Sequence, residues 1–229
     1  MTTLTRRAQE RLATRARILD AARALFLRDG FENVSLRKIA AAIGYTAPAI
    51  YSHFPDKRAL ILQLCCEDFA LLRRSLDSAK RTDDCVDRLR AMGRAYVRFA
   101  LEHPHHYRFM FMTPWAATEA PTDLPPEHGD PDHDAYAFLR RAVGACIEQR
   151  RFKPECCDIE GVTQVCWGAS HGVASLHIAL KDDPWVRWRS PRQTAYTLVD
   201  TVIDGLCADR RSESDRAGRA KPRRSKEAP

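Results

Sequence analysis

The sequence predicts an all-α protein: a three-helix N-terminal head followed by a C-terminal helical bundle, with about nine helices in all. Three observations predict it. Apolar residues recur at helical spacing in almost every segment between turn signals. No run alternates with the period of two that marks a half-buried strand. Ser, Thr or Asp stands ahead of the periodic runs, and Gly or Pro stands behind them, as helix starts and stops require.

In chain order, a first helix is expected from about Arg11 to Asp29, with Ile18, Ala22, Leu25 and Phe26 on one face and Gly30 as its stop. Ser35 then caps a short helix over Leu36 to Ile43, because its hydroxyl can accept from free first-turn amides while Ile39, Ala40 and Ile43 turn inward. Gly44 ends it. Thr46 caps a second short helix, whose Pro48 sits where a missing N–H costs nothing and whose Ile50 and Phe54 face the core. Ala47, Ala49, Tyr51, Ser52 and His53 are left to face a partner. Two short helices broken at a Gly-Tyr-Thr corner spell a helix-turn-helix, whose second helix can enter a DNA major groove N-terminus first.

Asp56 caps a long helix to about Ala79, with Ile61, Cys65, Phe69, Leu72 and Leu76 as its stripe. The next, from about Asp83 to Glu102, carries Val86, Leu89, Met92, Tyr96 and Phe99 and stops at His103-Pro104. A short piece, His105 to Met112, follows. Residues 113–131 hold five prolines and no apolar period, and read as a loop. Helices over about Asp132–Arg150, Glu155–Leu180 and Pro191–Ala208 complete the body. Residues 1–55 are thus expected to form a head with a basic arm, 56–208 a helical body, and 209–229 a disordered basic tail.

Charge divides along the chain. The net is +6 over residues 1–58, −3 over 59–208 and +4 over 209–229, within a total of +7. Basic charge on the head alone fits a polyphosphate partner. No stretch is long and apolar enough to span a membrane, and MTTLTRRAQERLATR lacks the apolar core of a signal peptide, so a cytoplasmic protein with no membrane partner is expected. Cys65, Cys66, Cys85, Cys146, Cys156, Cys157, Cys166 and Cys207 fall mostly inside helical patterns, without CxxC spacing, and read as reduced thiols.

From Arg15 to Leu64 the chain resembles the DNA-binding domain of the TetR family of bacterial transcriptional regulators. The amphipathic first helix, the Gly30-Phe31 break, the Val34-Ser35 cap and Ile50-Tyr51-x-His53-Phe54 with Lys57 match in order and spacing. A second resemblance, carried by YVRFALEHPHHYRFMF (Tyr96 to Phe111) and Trp167-x-x-x-His171-Gly172, is to the WHG-type C-terminal domain of a subset of that family.

The first resemblance implies DNA contacts from Ser35, Arg37, Thr46, Ala47, Pro48, Ala49, Tyr51, Ser52, His53 and Lys57. Arg37 reaches either a guanine edge or a phosphate. Ser35 and Thr46 offer donors to phosphates, and Lys57 grips one at a helix start. Ala47 and Ala49 lack polar reach, which favours methyl contacts or DNA shape. Arg6, Arg7 and Arg11, read as lying ahead of the first helix, either enter a minor groove or form a solvated arm.

Gly161, Val165, Gly168, Gly172 and Ser175 make a small-residue face on one helix; the opposite side, Val162, Ala169, Val173, Leu176 and Leu180, is apolar, so this helix should be buried nearly all round. The last helix adds Leu198, Thr201, Val202, Gly205 and Leu206. By resemblance the small face pairs with its symmetry mate as a homodimer interface; otherwise it packs within one subunit. Phe69, Tyr96, Phe99, Phe109, Trp167 and His171 are expected to line a pocket for a small-molecule effector, although His171 also reads as a core histidine. Trp115, Trp185 and Trp188 either line or cover such a pocket.

His103, His105, His106, His128 and His133 match no ordinary ligand frame, and no metal or cofactor is expected. No activated nucleophile, paired acids or phosphate-cradling glycine loop argues for an enzyme. The expected function is a regulator, a repressor by family habit, that binds a palindromic operator as a homodimer and is released by a small molecule.

Overall fold

The structure, a computed structural model, describes residues 5–113 and 128–208. It is all-α. Among the described residues nine helices run α1 (Arg6–Asp29), α2 (Leu36–Ala42), α3 (Ala47–Tyr51), α4 (Lys57–Ser75), α5 (Cys85–Glu102), α6 (Pro104–Phe111), α7 (Ala135–Glu148), α8 (Ile159–Leu180) and α9 (Pro191–Leu206), with a 3-10 turn over Leu76–Arg81 after α4. Among the described residues the sole strand-like pairing is an isolated bridge between Phe152 and Cys207.

The caps behave as the sequence spells them, with one exception. Ser35 accepts from the Lys38 amide, and Asp56 from the Ala59 amide. Thr46 occupies the N-cap of α3, but its side chain makes no capping bond. Gly44 turns the corner at φ +71°, a left-handed conformation that side chains with a Cβ rarely adopt.

Boundaries shift where a side chain overrides the periodicity. Helix α1 starts at Arg6 rather than Arg11, because Thr5 caps the Ala8 amide and Arg6 pairs with Glu10 one turn on at 2.9 Å. Arg6, Arg7 and Arg11 are therefore helical rather than a loose arm. Helix α8 waits until Ile159, where Asp158 accepts from the Glu160 amide. The last residues of the fourth expected helix form the 3-10 turn instead.

Two apolar cores result. The head core gathers Ile18, Leu19, Ala22, Phe26, Phe31, Ile39, Ile50 and Phe54, and it is completed from outside by Leu60, Ile61 and Leu64 of α4 and by Phe109 of α6. The body core is built from α5, α7, α8 and α9 around Leu89, Met92, Val97, Phe99, Val143 and Ala174. Helix α5 lies against α9 so closely that a Cβ on Gly93 would meet Val199 Cγ2 at 2.9 Å. Arg94 and Arg90 tie the same pair, reaching Asp200 at 2.8 Å and Asp204 at 2.6 Å.

Candidate DNA-binding face and ligand cavity

On the head, α2 and α3 present one exposed face. Arg37 projects from α2, exposed and without a partner among the described residues, whereas its neighbour Lys38 is held by Asp29 at 2.8 Å. Ser35, Thr46, Pro48, Tyr51 and Ser52 are exposed, while Ala47 and Ala49 are half-buried. The Thr46 hydroxyl has no capping duty, and Tyr51 stands 48 % exposed. This face can offer one guanidinium, several hydroxyls and two methyl groups.

Two of the expected contacts are drawn inward. Lys57 Nζ donates to the Phe31 carbonyl at 2.5 Å, which pins the start of α4 to the α1–α2 link. His53 is half-buried with Nδ1 shielded from water and unpartnered, and its backbone carbonyl accepts from Arg15 at 3.1 Å. Burial, then the charges of Arg11 and Arg15, hold the His53 imidazole below its ordinary pKa, which favours the neutral ring. Arg11 donates to the Ser52 carbonyl at 3.4 Å. Basic residues of α1 thus brace the end of α3.

In the body a cavity of 1470 Å³ opens between α4, α5, α7, α8 and α9, with Met110 and Phe111 of α6 in its wall. Of the six residues expected to line it, Phe69, Tyr96 and Trp167 do. His171 lies behind the wall, and Phe99 belongs to the body core. Phe109 is a correction: it packs in the head core, its ring 6.2 Å from Phe26 and 5.8 Å from Phe31. Leu89, Met92, Phe111, Val199 and Ile203 line the cavity and were not anticipated. Periodicity marked Leu89 and Met92 as buried, but which core each faces depends on partners distant in sequence.

Behind the cavity runs a row of hydrogen bonds. Trp167 Nε1 donates to the Tyr96 hydroxyl at 3.2 Å, the Tyr96 and Tyr107 hydroxyls are hydrogen-bonded at 3.3 Å, and both reach His171 Nδ1, at 3.1 and 2.6 Å. Burial pushes Tyr96 up to about 12 and lowers His171, so both are neutral at pH 7.

A second polar group is buried where head meets body. Asp68 of α4, 1 % exposed, accepts from Arg23 of α1 at 2.7 and 3.2 Å, and its Oδ1 lies 2.8 Å from His106 Nδ1 of α6. His133 pairs with Asp130 at 2.7 Å and His128 with Asp134 at 3.5 Å. Cys65, Cys146 and Cys207 have thiols pushed up by burial, and Cys166 rises to about 11 for the same reason.

Helix α8 is not buried all round. On the small face Val165 is 52 % exposed and Gly168 is exposed, and on the side expected to be apolar and covered Leu176 is 53 % exposed and Leu180 is also exposed. A Cβ on Gly168, Gly172 or Gly205 would meet nothing within 4 Å. Beside it, Thr201 and Gly205 of α9 are exposed and Leu198 and Ser175 half-buried. Two residues assigned to this face serve elsewhere. A Cβ on Gly161 would strike the capping carboxylate of Asp158 at 2.7 Å, and Val202 lines the cavity. Trp185 stands 93 % exposed, and the Trp188 ring lies edge-on to His177 at 6.1 Å. Trp115 falls outside the described residues.

Comparison with known proteins follows this division. Residues 18–64 match the model for bacterial regulatory proteins of the tetR family, and residues 89–200 match the tetracyclin repressor-like C-terminal domain. The HTH-type transcriptional repressor AcnR of Corynebacterium efficiens is 29 % identical over 130 residues, 57 % of this chain and 62 % of that protein. The HTH-type transcriptional repressor Rv1474c of Mycobacterium tuberculosis is 43 % identical over 61 residues, 26 % of this chain and 33 % of the other. The chain therefore spans from a third to under two thirds of the length of these curated relatives. A solved tetR-family regulatory protein from Rhodococcus RHA1 superposes with a TM-score of 0.66 at 23 % identity, over 85 % of this chain and 98 % of its own. A TetR family transcription regulator from Marinobacter aquaeolei VT8 reaches 0.68 at 19 %, over 88 % and 99 %. At such identities the likeness is one of fold.

Proposed function

Since this chain belongs to the TetR family of bacterial transcriptional regulators, a family of DNA-binding proteins rather than enzymes, we propose that it is a ligand-controlled repressor. In this reading it acts in the cytoplasm, binds a palindromic operator as a homodimer, and releases it when a small molecule fills the body cavity. The observation that carries the reading is a shared wall. Helices α4 and α6 line the 1470 Å³ cavity through Phe69, Met110 and Phe111, and the same two helices complete the head core through Leu60, Ile61, Leu64 and Phe109. A ligand that favours one packing of these helices favours one orientation of the head, and by reciprocity operator DNA changes that ligand's affinity by the same factor. Helix α4 runs from the head to the cavity wall, and α6 shares that position. A gel shift on the chain's own upstream region, with and without a panel of apolar and aromatic compounds, tests the whole reading. A shift that no compound reverses would leave a constitutive DNA-binding protein.

Arg37 is the exposed guanidinium of the reading face. Arg37→Ala is expected to relax discrimination at one base pair by about 1 to 3 kcal/mol, measured as operator against single-substitution competitor affinities. Equal losses on operator and random DNA would make it a phosphate contact.

The uncovered face of α8 and α9 suits the homodimer. Within one subunit Gly168 and Gly172 have open space around them, so Leu at either position gains helix propensity and leaves the monomer intact. Across a two-fold interface the same side chain should clash at about 1 to 3 kcal/mol per site. Sedimentation should show a folded protein shifted toward monomer; an undiminished dimer in both variants would place the interface elsewhere.

A further inference from the structure

We infer that the cavity takes an amphipathic monoanion, a bulky apolar body ending in one carboxylate, and that Arg73 of α4 receives the carboxylate; the inference rests on the effector-binding reading above. Arg73 lines the cavity and is 3 % exposed. Its guanidinium is fixed on three sides. Nε donates to the Pro131 carbonyl at 2.8 Å, Nη1 donates to Asp77 at 2.7 Å, and the plane sits over the Phe138 ring at 3.9 Å. Nη2 is shielded from water and has no hydrogen-bond partner; Asp132 Oδ1 stands off at 3.8 Å. A guanidinium is always charged and cannot accept, so these N–H groups suit an oxygen brought by a ligand.

Nearby acids are already engaged. Asp134 accepts from the Tyr136, Ala137 and Gly129 amides, Glu67 accepts from Gln63, and Asp132 lies 3.5 Å from Arg141. Arg74, the next residue of α4, also lines the cavity, exposed and without a partner among the described residues. Spare donor capacity at this end is therefore cationic. Because Nη2 is the one guanidinium nitrogen of Arg73 for which no hydrogen-bond partner is found among the described residues, the match is to one oxygen of a singly charged group rather than to a phosphate, which asks for several donors. The remaining wall, including Leu89, Met92, Phe111, Val199 and Ile203, is apolar. At 1470 Å³ the cavity has room for a large apolar body, long or polycyclic.

The test pairs each of a series of carboxylic acids, straight-chain C10 to C18 and polycyclic, with its primary alcohol. Calorimetry on the full chain measures both. At least one acid should bind ten times more tightly than its alcohol; Arg73→Met should remove that preference while leaving the alcohol's affinity unchanged. Asp132→Asn, at an exposed carboxylate, should leave acid binding equal or raise it severalfold and provides a variant that does not depend on Arg73 surviving substitution. Acids that bind no better than alcohols, or not at all, or a preference that survives Arg73→Met, would overturn the inference. A gel shift run alongside separates the two readings. Arg73-dependent acid binding that leaves operator binding untouched would refute ligand control and keep the inference, whereas operator release by neutral compounds alone would refute the inference and keep ligand control.

Discussion

Phe109→Ala is expected to lower the unfolding free energy by about 3 to 5 kcal/mol, the cost of deleting a fully buried aromatic ring and leaving a cavity. Phe109 is 0 % exposed, and its partners Phe26 and Phe31 belong to the head, while the helix that carries it also carries Met110 and Phe111 into the cavity wall. The loss should fall unevenly. The head loses a stacked ring and its main apolar tie to α6, so operator affinity should drop more than stability alone explains at temperatures where the protein is still folded. Phe109→Leu, which keeps most of the volume, should cost far less. Urea denaturation followed by tryptophan fluorescence measures the first effect and gel shift the second; a stability change below about 1 kcal/mol would mean the site collapses around the missing ring.

Asp68→Ala should destabilise by about 3 to 5 kcal/mol, because it strands the Arg23 guanidinium in the junction between head and body. The magnitude comes from leaving a charge unpaired more than from losing an attraction. Arg23 is 6 % exposed, and Asp20, its other acid at 3.0 Å, sits mostly in solvent. The double variant Arg23→Met with Asp68→Leu removes both charges and should recover most of the loss, since an apolar pair of similar volume commonly matches a buried ion pair. Additive losses in the double variant would show that the two side chains contribute independently.

The elements were legible because their signals are local. Ser35, Asp56 and the glycine corner at Gly44 act within four residues of themselves, and the structure places α2, α3 and α4 where those residues put them. The site was legible only in part because its lining is long-range. In α6, Phe109 and Phe111 sit two residues apart and face different cores, and no periodicity states which face meets the head. The same holds for Val202, which borders the cavity rather than the small-residue face of α8. Arg73 was invisible for another reason: a lone cation beside Leu72 reads as solvent-facing until Phe138, Pro131 and Asp77 close around it. Helix α8 looked buried all round because apolar composition does not distinguish a face covered by its own chain from one left open.

The row of bonds behind the cavity is fixed in direction at one end only. An indole N–H can only donate, so the Tyr96 oxygen accepts from Trp167. Beyond that link the hydrogens have a choice, because each hydroxyl carries two lone pairs and one hydrogen, and Tyr96 and Tyr107 both lie within reach of the same nitrogen, His171 Nδ1, at 3.1 and 2.6 Å. With its proton on Nε2 the ring accepts there from a tyrosine; with its proton on Nδ1 it donates there to one. The tautomer of a histidine next to Gly172, on the helix proposed to meet a second subunit, is thereby coupled to two hydroxyl rotors behind the cavity. A ligand oxygen that drew the Trp167 hydrogen to itself would free a lone pair on Tyr96 and shift that balance without displacing a single backbone atom.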